Sequence, residues 1–203
     1  SLGEAKDFKT NFLATFPNMS NLMRLCKQHI NERGFVEDIF GRRYHIPMEH
    51  SYKAVNALVQ GASANVLKMA MVQLERAIKF VSKTQPDNPF GQYRPLLPIH
   101  DELIIEAPID SEGDMVKGTH MALIKNIMEH IAPVTKYGID TVVELAYAND
   151  SWEGKQKTAV SDREMARAKK VLERLNEKCL SKTGTPILFD KGWAKRVDWF
   201  LTA

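Results

Sequence analysis

The sequence predicts an α+β protein in which an antiparallel hairpin lies among long helices. Apolar residues recur at helical spacing in several segments, and two short apolar runs meet at a polar turn within 96–108. Other strand-type segments are separated from this hairpin by helices. Strands that are segregated from helices in this way are typical of the α+β class.

The composition sets wide limits on function. The chain has 203 residues, 44% of them hydrophobic, which is enough for one ordinary domain with a real core. A net charge of +3 permits a nucleic-acid partner without requiring one. Cys26 and Cys179 have no close metal-type partners, which argues against a disulfide framework or a cysteine zinc site. No membrane span or signal peptide is evident, so we expect a cytoplasmic protein, and the initial Ser1 is compatible with a piece of a longer chain.

The N-terminal segments predict two helices followed by a hairpin. Phenylalanines at helical spacing indicate a helix over 5–16, and Pro17 separates it from a second helix. Gly34 stands where a C-terminal cap belongs. The segment 34–47 alternates in part and turns at Gly41, which predicts the hairpin.

The middle of the chain predicts one long helix, the central hairpin and one further helix and strand. The segment 49–83 has no proline and a single glycine, so it predicts one helix. Two strands, both expected to be buried, occupy 96–108. A capping box at Ser111 begins a helix that ends near Pro133, and 140–148 reads as a strand.

The last part of the chain, 157–203, predicts a helical tail. Ser161 and Glu164 form a second capping box. The helix that follows has an apolar stripe on a charged body, made of Met165, Ala168, Leu172, Leu175 and Cys179. The stripe packs back on the protein, which is the commoner outcome, or it docks a partner chain. A last short helix is predicted around Trp193, Val197 and Phe200.

The polar turn of the central hairpin consists of His100, Asp101 and Glu102. Carboxylate oxygens are the ligands that Mg²⁺ prefers, and a hairpin turn would hold one rigidly and open to solvent. Because neighbouring strand residues point to opposite faces, the two acids need not share a role. The alternative is a simple polar turn, in which Asp is common. We favour a functional turn because core strands flank it.

A polar stripe on the long helix is the second candidate feature. Tyr52, Asn56 and Gln60 recur every four residues, and Gly61 leaves room beside them. Amides on an otherwise apolar helix need partners. Internal hydrogen bonds are the favoured explanation. The alternative is a duplex minor groove, where every base pair presents acceptors at purine N3 and pyrimidine O2.

The two features together, in this order, resemble one family. The stretches NALVQGASANVLKMAM and PIHDELIIEAP resemble the C-terminal palm of family A DNA polymerases, the DNA polymerase I or Klenow type. The segments KTNFLATFPNM, GFVEDIFGRRYHIP and YANDSW resemble others of that family, collinearly over about 3–156. The resemblance implies the end of the fingers and a connecting hairpin in 1–48, an antiparallel palm-type sheet with the motif C hairpin in 49–156, and a C-terminal helical extension in 157–203.

The resemblance also implies roles for individual residues. Asp101 matches the motif C aspartate that binds the catalytic metals, and Glu102 matches the adjacent, less essential carboxylate. His100 matches a histidine near the primer 3′ end. Asn56 and Gln60 match residues that contact the minor groove of the primer–template.

Other matches are less direct. Arg42 and Arg43 match the hairpin arginines, for which we favour a bracing role over phosphate contact. Tyr52 stands where the family has an arginine, and the adjacent Lys53, a candidate substitute, lies about 100° around the helix. Asn65 replaces an aspartate. Pro98, which cannot donate a strand hydrogen bond, further predicts a distorted or edge-type strand.

The sequence has no run that resembles motif A or the nucleotide-binding fingers helix. The resemblance therefore implies a nucleotidyltransferase whose two-Mg²⁺ site needs an aspartate from outside this chain, which we expect to be inactive by itself. Its implied partners are primer–template DNA, a dNTP and an N-terminal polymerase portion or separate subunit, and a bacteriophage is the favoured source. The alternative is a non-catalytic DNA-binding or assembly module derived from such a polymerase.

Overall fold

The computed structural model of the protein describes residues 1–109, 118–135, 137–149 and 151–188. The class is α+β, as predicted. The described chain forms two compact units, one of residues 1–63 and one that begins at Ala64. The division at 48/49 and 156/157 that the resemblance implies stays a prediction.

Six helices and six strands are described, together with three 3₁₀ turns. The helices are α1 (Leu2–Thr15), α2 (Pro17–Arg33), α3 (Ala54–Thr84), α4 (Thr119–Glu129), α5 (Ala132–Thr135) and α6 (Asp162–Thr183). The strands are β1 (Phe35–Glu37), β2 (Arg43–His45), β3 (Arg94–Ile99), β4 (Glu102–Glu106), β5 (Leu145–Tyr147) and β6 (Gln156–Thr158). The 3₁₀ turns are Met48–Lys53, Pro89–Gln92 and Trp152–Gly154.

The strands pair as three separate antiparallel hairpins, β1–β2, β3–β4 and β5–β6. Each described sheet therefore has two strands. The palm-type sheet that the resemblance implies stays a prediction. No described helix is long and apolar enough to cross a membrane.

The first two helices form as predicted. Pro17 occupies the first turn of α2, where its missing N–H costs no hydrogen bond. Gly34 ends α2 in the left-handed conformation, with φ of 75°, and its N–H bonds to the carbonyl of Ile30. A small core beside it joins α2, the β1–β2 hairpin and the start of α3; its buried members are Cys26, Ile30, Val36, Ala54 and Leu58.

A buried aspartate organises the β1–β2 turn. One carboxylate oxygen of Asp38 accepts the backbone N–H groups of Phe40 and Arg42 at 2.9 and 3.0 Å. The other accepts the hydroxyl of Tyr44 at 2.7 Å. This carboxylate fixes the turn as an Asx motif would. The sequence pattern predicted the hairpin but gave no sign of the role of Asp38.

The long helix begins later than predicted. Residues Met48–Lys53 form a 3₁₀ turn in which His50 departs from helical geometry, with φ of −107° and ψ of 15°. α3 then runs from Ala54 to Thr84 and passes from the first unit into the second. Tyr52 therefore lies in the preceding turn rather than on α3 itself.

The second unit has the larger core. α3, the turn that contains Phe90, α4 and α6 contribute to it, and Leu103 and Ile105 of β4 pack against it. Gly91 allows the Pro89–Gln92 turn to approach α3, because an added Cβ would lie 2.8 Å from backbone atoms of Ser82.

The expectation that both central strands are buried is wrong. Leu96, Leu97 and Ile99 of β3 are 54%, 46% and 39% exposed. Within the described residues β3 pairs only with β4, and the core cluster is packed by β4 side chains. The register of the pair shifts between Pro95 and Leu97. The distortion expected at Pro98 is therefore present in β3, but slightly earlier.

The helix and strand that follow are shorter than predicted. The Ser111 capping box lies outside the described residues. α4 starts only at Thr119 because Gly118, with φ of 73° and ψ of −107°, cannot belong to a helix. β5 covers Leu145–Tyr147 alone, since these are the residues that β6 pairs with. No sequence pattern predicted β6.

The tail helix begins at the predicted capping box. The side chain of Ser161 accepts the N–H of Glu164, and the Glu164 carboxylate accepts the N–H of Ser161. Gly184 ends α6 in the left-handed conformation. Ala168, Leu172, Leu175 and Cys179 are buried in the large core, so the apolar stripe packs back on the protein. The predicted helix around Trp193 lies outside the described residues.

Candidate functional site

His100 and Asp101 alone connect β3 and β4, because Ile99 and Glu102 are paired in the strand register. Two-residue hairpin connections favour turns with positive φ at the first central residue, which is usually glycine or asparagine. His100 occupies this position with φ of 53°. It is the one non-glycine residue with positive φ in the described parts of the chain.

A histidine in this conformation carries a local cost. Residues held in sparsely populated backbone regions cost on the order of 1 kcal/mol or more and cluster at functional sites. Glycine at position 100 would avoid the cost. The exposure of β3 removes one of the two core strands expected to flank this turn, but the positive φ of His100 still favours a functional turn over a simple polar one.

The Asp101 side chain is exposed at this turn. The described residues give it no hydrogen bond or ion pair, so both carboxylate oxygens are open to an outside ligand. The two short strands hold its backbone in place.

Glu102 has a different environment. Its carboxylate receives the ammonium of Lys155 at 2.9 and 3.2 Å. Lys155 immediately precedes β6, so this ion pair joins the second hairpin to the third. Glu102 and its neighbour Leu103 point to opposite faces of β4, and Leu103 packs on the core. Sequence reasoning missed Lys155, because no motif connects residues 53 positions apart.

The described residues can supply only part of a metal site. They contain no group of three or more His, Cys, Asp or Glu side chains placed to hold an ion. Mg²⁺ is usually held by one or two carboxylates together with waters and substrate phosphates. Asp101 fits the role of one such ligand. Glu102 is near it in sequence, but Lys155 already compensates its charge.

The polar stripe on α3 faces solvent. Asn56 and Gln60 are both exposed, and the described structure contains no hydrogen bond from either side chain. The preference for internal hydrogen bonding is therefore wrong for these two amides. The buried amide of this helix is Gln73, which donates to the carbonyls of Ile127 and His130, each at 3.0 Å.

Gly61 makes room for a side chain beside this stripe. A Cβ at Gly61 would overlap the phenol oxygen of Tyr44, at 1.9 Å. Asp38 holds the same phenol from the hairpin side. The predicted space at Gly61 is thus filled by Tyr44.

The two hairpin arginines contact their own hairpin. The Arg42 guanidinium lies over the Tyr44 ring at 5.3 Å. Arg43 lies over the Phe35 ring at 4.8 Å and pairs with Glu37 at 3.0 Å. These contacts to rings and a carboxylate lie within the hairpin, as a bracing role would require.

Tyr52 and Lys53 are exposed in the turn before α3. The Lys53 ammonium lies 5.7 Å from the Tyr52 ring centre, and His50 meets the same ring edge-on at 6.1 Å. Both side chains are open to an outside partner, as an interface would require.

Comparison with known proteins is consistent with these features. Residues 1–154 match the model of DNA polymerase family A. The thermostable DNA polymerase I of Thermus filiformis is 31% identical over 163 residues, covering 75% of this chain and 17% of that protein. The DNA polymerase I of Rhizobium leguminosarum is 32% identical over 137 residues, covering 63% and 12%.

The thermostable DNA polymerase I of Thermus aquaticus is 30% identical over 141 residues, covering 64% of this chain and 15% of that protein. This chain thus spans between 12% and 17% of the length of these three relatives. The family match covers well over half of the 203 residues, through the α3 stripe and the acidic hairpin. This chain belongs to DNA polymerase family A.

Proposed function

We propose that this chain is the C-terminal palm portion of a template-directed DNA polymerase, with Asp101 as one carboxylate of its metal site. The observation that carries the proposal is the open Asp101 carboxylate on a two-residue turn between paired strands. Family membership supports it, because the relatives that match this segment are named DNA polymerase I. The reaction would be attack of a primer 3′-hydroxyl on the α-phosphate of a dNTP.

Asp101 would hold a Mg²⁺ ion together with ligands from outside this chain. Two such ions, when bound, lower the barrier by activating the hydroxyl and stabilising the leaving oxygens. The turn contributes by fixing the carboxylate before substrate arrives, so little ordering is needed at the reaction step. His100, next to it, would face the primer end, as the resemblance implies.

Asn56 and Gln60 would contact the minor groove of the primer–template. Exposed amides can donate to purine N3 and pyrimidine O2, acceptors that all four base pairs present. Such contacts sense the shape of a pair without reading its sequence. The exposure of both side chains supports this role over an internal one.

A complementary polymerase portion would complete the site. Nothing in this sequence resembles motif A or the fingers helix, so the second metal-binding aspartate and the nucleotide grip would come from an N-terminal region or a separate subunit. Robust primer extension by this chain alone would contradict this part of the proposal.

A second candidate is a DNA-binding or assembly module without chemistry. The observation that favours it is the pairing of Glu102 with Lys155, which leaves a single open carboxylate. This candidate predicts that DNA binding and assembly persist without Asp101 and that synthesis never occurs.

Asp101→Asn separates the two candidates. The test is primer extension with the chain and the complementary portion that carries motif A. We expect at least about a 100-fold loss of synthesis, because removing a metal-binding charge costs several kcal/mol and each tenfold is about 1.4 kcal/mol. The matched control is Asp87→Asn, which alters another exposed turn aspartate of the same unit. Equal loss in both variants, or full synthesis by Asp101→Asn, would overturn the catalytic role.

A further inference from the structure

α6 has two faces of opposite character. Its 22 residues are capped at both ends, which stabilises the first and last turns of the helix. The apolar face is buried in the large core through Ala168, Leu172, Leu175 and Cys179. α6 begins after residue 154, so it lies outside the segment that matches the polymerase family.

The solvent face of α6 carries a row of cations, which we call the basic stripe. Its members are Arg163, Arg167, Lys170, Arg174 and Lys178. All five are exposed and are spaced three or four residues apart. At 3.6 residues per turn they fall within an arc of about 80°, centred about 130° around the helix from the buried face.

The basic stripe keeps a net positive charge although Glu164, Glu173 and Glu177 each stand three residues from one of its cations. α6 contains seven Lys and Arg against four Asp and Glu, a net charge of +3 that equals the net charge of the whole chain. None of the five cations makes an ion pair within the described residues. Hydrogen bonds to Ser161 are the main reason that the pKa of the Glu164 carboxyl is lowered. The charge of Arg167 lowers this pKa further by a smaller amount.

The cations of the basic stripe repel one another along the helix. Like charges four residues apart destabilise a helix, and the stripe contains three such pairs: Arg163 with Arg167, Lys170 with Arg174, and Arg174 with Lys178. Opposite charges three residues apart offset this repulsion within the helix, in the pairs Glu164 with Arg167, Lys170 with Glu173, and Arg174 with Glu177. The repulsion would be relieved by a partner with regularly spaced negative charges.

The buried apolar face limits which polyanion can bind. A basic amphipathic helix that lies in a membrane surface, or in the groove of a protein, must insert its apolar face. That face of α6 is already in the core. The stripe can therefore contribute only positive charge to binding. Positive charge is what binds the phosphate backbone of DNA.

We propose that the basic stripe of α6 is a second DNA contact, which binds the phosphate backbone of duplex DNA. The inference rests on the proposed polymerase function, which supplies DNA as the polyanion. From Arg163 to Lys178 the stripe is about 22 Å long at 1.5 Å per residue, and a DNA strand presents a phosphate about every 3.4 Å along the axis. Binding there would be independent of sequence and would anchor the template beyond the family's own contacts.

The test measures duplex binding by the whole chain over a series of salt concentrations, using fluorescence anisotropy. The variant Arg167→Gln, Lys170→Gln and Arg174→Gln removes three stripe cations while keeping good helix formers. We expect the salt slope to become shallower by about 2 to 3, since each lost phosphate contact contributes about 0.9. Unchanged slope and affinity in this variant would overturn the inference.

A matched pair of single variants isolates the face. Lys170→Gln and Lys169→Gln change the same chemistry at neighbouring positions of α6, about 100° apart on the helix. We expect the first to weaken DNA binding and the second to leave it unchanged. Equal effects would show that only overall charge matters and would overturn the stripe as a defined surface.

Two further readouts keep this inference distinct from the proposed function. Full synthesis by Asp101→Asn defeats the polymerase proposal without altering the salt slope. Binding of anionic phosphatidylserine vesicles that is lost in the triple variant, while duplex binding is retained, would assign the stripe to a lipid surface and overturn the DNA assignment.

Discussion

At the scale of single residues, three neighbours on one turn have different environments. His100 adopts a positive φ, Asp101 is open to solvent, and Glu102 is held by Lys155. The strand register causes the difference, since it leaves two residues in the turn and makes Glu102 the first residue of β4. One open carboxylate and one compensated carboxylate give a site with a single available ligand.

Lys155→Met should strengthen binding of a divalent cation at this turn. The substitution removes a competing cation and frees the Glu102 carboxylate, and an exposed ion pair is worth up to about 1 kcal/mol. We expect Mn²⁺ affinity of the whole chain, followed by electron paramagnetic resonance, to rise about two- to fivefold. The same substitution should change stability little.

The control for this prediction is Lys157→Met, two residues further along. Lys157 pairs with Glu144 at 2.6 Å, so its loss changes the net charge equally without touching Glu102. Mn²⁺ affinity should stay the same in that variant. A rise of the same size in both would mean that net charge, not the Glu102 pair, governs cation binding.

At the scale of elements, the side-chain amides of α3 have different environments and roles. Asn56 and Gln60 face solvent near its start, whereas Gln73 is fully buried in the second unit. Gln73 donates to the carbonyls of Ile127 and His130 at the end of α4, where helical carbonyls lack partners within their own helix. This side chain therefore joins α3 to the C-terminal end of α4.

Gln73→Leu should destabilise the protein. The change leaves the buried carbonyl of Ile127 and the partly buried carbonyl of His130 without these donors, at a cost of about 1 to 3 kcal/mol. Urea unfolding monitored by circular dichroism would give the free energy of unfolding. A loss below about 0.5 kcal/mol, the range of ordinary surface substitutions, would contradict the assigned role.

Gln60→Leu is the matched control on the same helix. Its amide is exposed, so the free energy of unfolding should change by less than about 0.5 kcal/mol. The two variants change the same amide to the same side chain. Their difference therefore measures burial and hydrogen bonding rather than helix propensity.

At the scale of the whole molecule, a histidine in the large core makes the stability of the protein depend on pH. The His120 ring lies 5.6 Å from both the Phe90 and Tyr93 rings, which it meets edge-on. Its buried Nδ1 has no hydrogen-bond partner in the described part of the chain. Burial lowers the pKa of His120 and raises the pKa of Tyr93 to about 12.

Stability should fall as pH drops below about 6.5, the ordinary pKa of an unfolded histidine. The unfolded chain binds a proton there before folded His120 does, so protonation favours unfolding until the lowered folded pKa is reached. Between those pKa values the free energy of unfolding should fall by at most about 1.4 kcal/mol per pH unit for this proton. His29 and His130, whose pKa values burial also lowers, add to the trend.

His120→Phe isolates this residue. The variant keeps an aromatic ring in the core but cannot bind the proton, so its free energy of unfolding should depend less on pH below about 6.5. Urea unfolding at several pH values would measure both proteins. Parallel pH profiles would show that His120 does not contribute.

Local signals predicted the elements that depend on neighbours in sequence. Pro17, Gly34 and the Ser161 capping box act within a turn or two, and the structure has each where it was expected. The acidic turn is equally local, because two apolar runs and two turn residues define it. Signals of this kind are readable because the groups that interact are close along the chain.

Burial and pairing between distant residues could not be predicted from the sequence in this way. Apolar composition suggested that β3 is buried, but exposure depends on which elements cover a strand. The pairing of Lys155 with Glu102, and of Gln73 with carbonyls more than 50 residues away, follows no sequence spacing. β6 was missed because a three-residue strand is defined by its partner.

The sequence by itself therefore determined the α+β class, the family, the two ends of α2, the start of α6 and the acidic turn. Each depends on contacts within a few residues or on a collinear pattern of motifs. Only the tertiary structure decided which polar groups are open: Asp101, Asn56, Gln60 and the basic stripe face solvent, whereas Glu102 and Gln73 are engaged. The physical reason is that exposure and partners depend on how distant segments pack.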